Sequence, residues 1–429
     1  MKIVTTNLCP FAVRSGGHLS WPGSNVEGGV TLDLNQLTTI DVDETRGTVG
    51  LGPGSRWMAV YTALEQYNLT TVGGRMPDVG VGGFLLGGGI SLLSFQHGFG
   101  CDNIVNYEIV LADGTIVNAN ANSHPDLFWA MKLGSTNYGI VTRFVMRMYP
   151  LKDVWGGIRT YPRFPKDTPR LLDNWVSFAR DKATVRGELQ AIIMGRWEDG
   201  GDEVVSVWHA SLDSVPGPPL TDTPAIGDST RITSLPKLVE DLQSSAFAEK
   251  KRHRMYTLTV KLDALFLWDV LNHTKDIFDK LEHISGMHWD LIYQPITGGF
   301  LTKSSETGGN PFKSVLEESD KDLALILCYI SWKDAADDGV MNQATRDLET
   351  WSEEAARERD IFSNYLYLNY ANGEQPVYAR SVSKKDLAKM MSVKRKYDAE
   401  DILGRLWAGG FKLPKDKPGT VIESSHIEL

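Results

Sequence analysis

The residues with chemical potential cluster early in the chain. Arg14-Ser15-Gly16-Gly17-His18 follows the apolar stretch Phe11-Ala12-Val13, and the segment from Gly73 to Gly89 holds eight glycines in seventeen residues. Val79, Val81, Phe84, Leu85 and Leu86 are interleaved with those glycines, so a flexible linker does not explain the composition. A glycine-rich loop that is also apolar suits close backbone approach to a flat, anionic cofactor. Where Cβ atoms are missing, N–H groups can reach phosphate or ring oxygens. The pattern is not a nucleoside-triphosphate loop, because GxxxxGK[ST] is absent. GxGxxG does not occur in a strand–turn–helix context, and HExxH and GxSxG are also missing, which counts against dinucleotide, zinc-protease and serine-hydrolase readings.

The rest of the composition narrows the class. The chain has 429 residues, 42% of them hydrophobic and 23% charged, as expected of a packed protein with two domains or one large domain and a lobe. With 44 basic and 54 acidic side chains the formal charge is −10, which disfavours nucleic acid as a partner. The one basic cluster, Lys250-Lys251-Arg252-His253-Arg254, reads as a solvated face. No apolar run is long enough to cross a membrane, and no signal peptide is visible, so the sequence leaves localisation unknown. Cys9, Cys101 and Cys328 form no CxxC pair, so no disulfide framework and no metal site is expected.

Periodicity supplies the elements that must position these motifs. Strands are predicted at Val30–Leu34, Arg46–Leu51 and Gly139–Tyr149, with a hairpin turning at Asp113-Gly114. Helices are predicted at Trp57–Tyr67 and Pro125–Lys132. Beyond residue 150 longer strands appear, at Glu188–Arg196, Val204–Ala210 and Leu323–Trp332. They alternate with helices at Arg170–Asp181, Asn342–Arg359 and Leu387–Tyr397. Ser214–Asp228 reads as a proline-rich loop. A strand at Tyr365–Tyr370 would put Tyr365, Tyr367 and Asn369 on one face.

At this point the chain resembles the berberine bridge enzyme-like oxidases, within the vanillyl-alcohol oxidase type of FAD proteins. Phe11 to His18 is similar to the family's P-F-A-V-R-S-G-G-H segment. Pro77-Asp78-Val79-Gly80-Val81-Gly82-Gly83 through Gly87-Gly88-Gly89 is similar to its P-x-V-G-V-G-G-x-x-x-G-G-G loop. Cys101-Asp102-Asn103, Asp126 to Ala130, Asn137 to Thr142, Tyr367 to Tyr370 and Lys394 to Asp398 follow in the family's order. The resemblance implies an α+β fold of two lobes: an FAD-binding domain over residues 1–150, an antiparallel-sheet substrate domain over 151–360, and a segment over 361–429 that returns to the FAD domain. The resemblance implies a strand–helix–strand unit upstream of Phe11, most of which is expected to be missing from the sequence given, since Met1 lies ten residues before Phe11. The resemblance implies an FAD-linked oxidase, acting as a monomer on a small molecule and O₂, in a fungal style often found in secondary metabolism. The alternative is a remnant that binds a ligand or partner without flavin.

The resemblance also implies site residues. FAD is expected against Arg14, Ser15, Gly16, Gly17, His18, Val79, Gly80, Val81, Gly82, Gly83, Gly87, Gly88, Gly89, Asn137, Gly139, Ile140, Val141 and Tyr370. His18, which in isolation would read as a turn histidine, is implied to bond covalently to the 8α-carbon of FAD. Met76 stands where many relatives have a second linking cysteine, so a single link is expected. Cys101 is expected to pack in the core. Val79 matches the oxygen gate, though it would serve equally as a β-branched core residue. Tyr367 is the first choice of catalytic base, with Tyr365 and Tyr370 next. Simple aromatic packing is the competing role, and Gln294 is a candidate substrate contact.

Overall fold

The computed structural model describes residues 1–162, 167–181, 189–199, 201, 203–243, 252–318 and 322–415. Glu188, Lys250, Lys251 and the end of the expected C-terminal segment lie outside the described residues. The fold is α+β, and its strands form two principal sheets.

The first sheet has five antiparallel strands in the order Ile40–Asp43, Thr48–Leu51, Ile140–Arg147, Ile104–Val110, Ile116–Asn120. The helix Trp57–Glu65 buries Trp57, Val60, Tyr61 and Leu64, the stripe that its spacing of three and four residues predicts. Beside this sheet, Phe11–Arg14 and Val30–Asp33 form a parallel pair. The pair is continued by a parallel bridge from Phe11 to Trp407, which brings the end of the described chain back onto its beginning.

The second sheet has nine strands, and its central path is antiparallel. Val154–Pro162, Val204–Ser211, Leu189–Glu198, His288–Ile296, Leu323–Trp332 and Arg252–Lys261 lie side by side in that order. Phe362–Ser363 pairs with Arg252–Lys261, so the sheet runs slightly past the expected boundary at 360. Helices Thr168–Arg180, Ala264–Lys280 and Asp338–Glu358 contribute buried apolar residues to the same core cluster as one face of this sheet. The other face, carrying Ile192, Trp208, Ile292 and Leu327, joins the core of the first lobe. No described helix is long and apolar enough to cross a membrane.

Two expected elements differ. Gly73–Gly89 is not loop throughout, because Val81–Leu86 forms a short helix. Tyr365–Tyr370 is not a strand. Its backbone is satisfied elsewhere: Tyr365 N–H donates to Ser363 Oγ, Leu366 N–H to Ser381 Oγ, and Tyr370 N–H to Tyr367 O. Side-chain hydroxyls that compete for backbone groups convert a strand-like aromatic pattern into an irregular turn.

Asn137 anchors the returning segment. Its fully buried Nδ2 shares two protons among Gly134 O at 3.0 Å, Tyr378 Oη at 2.9 Å and Phe411 O at 2.9 Å, and its Oδ1 accepts from Leu413 N–H at 2.9 Å. Asn137→Ala is therefore expected to lower stability by about 2–4 kcal/mol, because several buried backbone groups lose their partner. Urea denaturation with limited proteolysis of the C-terminal segment checks this, and an unchanged midpoint would contradict it.

Candidate active site

The two glycine-rich motifs meet backbone to backbone. A Cβ built on Gly16 would sit 2.5 Å from Gly80 N, and one on Gly80 would sit 2.5 Å from Gly16 N. Neither position has room for any other residue. The intervening segment 53–58 stitches the motifs together. Arg56 Nη1 donates to Gly16 O at 2.6 Å and also bonds Asp78 O. Ser15 Oγ donates to Pro53 O at 2.5 Å. The N–H groups of Val81 and Gly82 are taken by Ser55 O and Pro53 O, so they do not point at a ligand.

Between the lobes lies a cavity of about 290 Å³. Ser15, Gly16, Gly17 and His18 line it, as do Val79, Gly80, Gly82, Gly83 and Gly87, together with Gly139, Ile140 and Val141. Gln294, Tyr367 and Tyr370 line it from the far side. The expected residues Arg14, Val81, Gly88, Gly89, Asn137 and Tyr365 do not. Arg14 is exposed and paired with Asp33. Val81 is a core residue. Gly88 and Gly89 adopt φ of +103° and +83°, and their carbonyls accept from Cys101 and Gly100, so their role is to turn the chain. Asn137 serves the clamp already described. Tyr365 is buried against Phe312, with ring centroids 5.6 Å apart, and burial pushes its phenol pKa well up.

Solvent reaches His18 through the cavity, yet protein surrounds the ring, and this desolvation holds the imidazole below the usual histidine value. Desolvation thus favours the neutral form of the His18 imidazole. Met76 also lines the cavity. Cys101 is fully buried, and burial pushes its thiol well up, which leaves it inert.

Arg75 was not picked out from the sequence. Its Nη2 donates to Tyr370 Oη at 2.7 Å. The Gln294 amide approaches the same oxygen, with Nε2 at 3.2 Å, and the Tyr370 hydroxyl can donate to Gln294 Oε1 at 3.3 Å. Arg75 is the only cation between Gly73 and Gly89, and that was the available signal. The Tyr367 oxygen instead accepts from Ile90 N–H at 2.7 Å and Asn369 Nδ2 at 3.0 Å, and burial pushes its pKa far up. The Tyr367 and Tyr370 rings meet edge to face, with centroids 4.8 Å apart.

The cavity fits a flavin. Among the described residues its walls carry no aspartate, glutamate or lysine, and its charged or titratable side chains are His18, Arg75 and the two tyrosines. An anionic dinucleotide meets no like charge there. A Cβ on Gly83 would meet nothing within 4 Å, so this glycine leaves open space in the cradle.

These features place the molecule among flavin-dependent oxidoreductases. The FAD binding domain family matches residues 1–120. The FAD-dependent monooxygenase FUP4 of Fusarium proliferatum is 33% identical over 426 residues, covering 94% of this chain and 80% of the relative. The FAD-dependent monooxygenase tpcD of Cochliobolus heterostrophus is 34% identical, with the same coverage. The chain belongs to the same family of FAD-dependent oxidoreductases as these fungal relatives. Its fold matches 6-hydroxy-D-nicotine oxidase of Arthrobacter nicotinovorans with TM-score 0.76 at 21% identity, covering 94% of this chain and 87% of that one. It matches berberine bridge enzyme of Eschscholzia californica with TM-score 0.72 at 16% identity, covering 97% and 88%.

Two glycines separate folding from binding. Gly16→Val must push the Gly80 backbone aside and is expected to lower both stability and flavin content. Gly83→Val is expected to keep the wild-type urea midpoint but lower flavin content, because its side chain enters the cavity. Flavin absorbance per protein, measured beside the urea midpoints, checks both. Full flavin occupancy in Gly83→Val would contradict the assignment.

Proposed function

We propose that the protein is an oxidase that removes two electrons and two protons from a small alcohol, with FAD attached covalently at His18. The observation that carries this reading is the Arg75–Tyr370–Gln294 cluster in the wall of the cavity. Bound FAD would supply the two-electron acceptor for the substrate hydride and the route of those electrons to O₂, with hydrogen peroxide as co-product. The protein's own residues supply the rest. Arg75 Nη2 donates to Tyr370 Oη at 2.7 Å and Gln294 Nε2 lies 3.2 Å from the same oxygen, so a proton transferred to that oxygen would arrive beside a cation and a second donor. In this reading Tyr370 takes the hydroxyl proton of the substrate, and so supersedes Tyr367, whose oxygen is buried and has no cation in contact. Gln294 orients the same hydroxyl from the second lobe.

A neutral His18 suits attachment of the 8α-carbon to a ring nitrogen, and Met76, a thioether, offers no thiolate for a second link. Val79 keeps a short side chain on the cavity wall, which supports oxygen access. The chain is taken to act as a monomer. The names of the fungal relatives favour a second reading, oxygen insertion, which would require an external two-electron donor. Turnover under ¹⁸O₂ separates the two. The oxidase gives one labelled peroxide per product and no label in the product, whereas insertion labels the product.

Acid-denatured wild-type protein is expected to retain flavin and His18→Ala to release it. A flavin adduct on a cysteine peptide, or flavin freed from the wild type, would overturn the single link.

Tyr370→Phe is expected to slow anaerobic flavin reduction by about 10²–10⁴, the usual effect of losing a positioned base, whereas Tyr367→Phe changes it far less. Val79→Leu should leave reduction nearly unchanged and slow reoxidation by O₂. Stopped-flow measurement of the two half-reactions checks these outcomes. Reduction of Tyr370→Phe at the wild-type rate would remove it as the base.

A further inference from the structure

We infer that the substrate is a planar, largely apolar aromatic alcohol, and neither a carbohydrate nor an amine. This deepens the oxidase reading above and rests on it. The argument comes from the face that the second lobe presents to the cavity. Ile192, Trp208, Ile292, Leu327 and Met255 line it, and the Gln294 amide and the Trp208 indole N–H are the hydrogen-bonding groups among these side chains. Alternate residues of a strand share a face, and Trp208 stands opposite Ile192, Met194 opposite Ile292, and Ile292 opposite Leu327. These side chains therefore make one continuous floor across four adjacent strands. At about 4.8 Å per strand it is roughly 14 Å wide, enough for two or three fused rings.

The next row of that face is charged, but its charges are already spent on one another. Arg196 Nε meets Asp290 Oδ1 at 2.7 Å, Arg196 Nη2 meets Asp290 Oδ2 at 3.1 Å, and His288 Nε2 lies 2.9 Å from Asp290 Oδ2. A sugar carries a hydroxyl on nearly every carbon. Over this floor most of those hydroxyls would be desolvated, with the Gln294 amide and the Trp208 N–H as the partners it offers, whereas its apolar side chains suit contact with an aromatic substrate. An amine meets a different obstacle. The described lining has no carboxylate to hold an ammonium group and has the Arg75 guanidinium to repel it. A neutral hydroxyl suits Tyr370, Gln294 and Arg75, because each can donate to or accept from it.

Three probes test this on the flavin-loaded protein by calorimetry: 2-naphthylmethanol, its isostere 2-naphthylmethylamine, and cellobiose. The alcohol is expected to bind at least tenfold more tightly than the other two. Trp208→Ala and, independently, Met255→Gln are expected to weaken it about tenfold. Equal or tighter binding of cellobiose or of the amine overturns the inference, as does wild-type affinity for the alcohol in both variants. The two readings fail separately. Naphthylmethanol that binds with the expected preference but never reduces the flavin anaerobically supports this recognition and sinks the oxidase reading. Flavin reduction by cellobiose with oxygen uptake supports the oxidase reading and sinks this one.

Discussion

The contact on which the site depends is the approach of the Gly16 backbone to that of Gly80. Any side chain at either position would push the Arg14–His18 turn away from the glycine-rich segment, and the cavity between them would lose its wall. Arg56 fixes the approach by bonding a carbonyl from each side. The glycines thus serve two purposes. Gly16, Gly80 and Gly82 let protein backbone and side chains pack closely, and Gly83 leaves open space in the cavity wall. The Val81 and Gly82 N–H groups of the glycine-rich loop are consumed inside the protein, by Ser55 O and Pro53 O.

The chemistry follows from how the two lobes close on that cradle. The turn after Ser363 delivers Tyr367 and Tyr370 to the same cavity with different surroundings. One oxygen is buried among neutral donors, and the other lies against Arg75. The second lobe contributes an apolar floor and one amide. His18 stands on the first lobe in a desolvated position that lowers the pKa of its imidazole. Arg75, the tyrosine pair and the apolar floor therefore come from three separate parts of the chain.

Much of the first lobe was legible in the sequence because its constraints are local. Glycines, a strand–turn histidine and helical spacing at Trp57–Leu64 are readable over a few residues. The second lobe was less so. Strands such as His288–Ile296 and Leu323–Trp332 are buried along their whole length, so no alternation marks the face that lines the cavity. The helix Ala264–Lys280 went unread, although Asp263 caps it by accepting from Phe266 N–H at 2.8 Å. Tyr365–Tyr370 satisfied the strand pattern, but Ser363 and Ser381 claimed its backbone. Arg75 and Tyr370 lie 295 residues apart, a pairing that no local pattern reveals.

The central claim is that the guanidinium of Arg75 makes Tyr370 competent to accept the substrate proton. Its most direct test is the rate of anaerobic flavin reduction in Arg75→Met, measured by stopped flow at saturating substrate and normalised to bound flavin. The account predicts a rate lowered by about 10² or more with flavin content unchanged, because a positioned base has lost its charge partner. Reduction at the wild-type rate with full flavin content would contradict it.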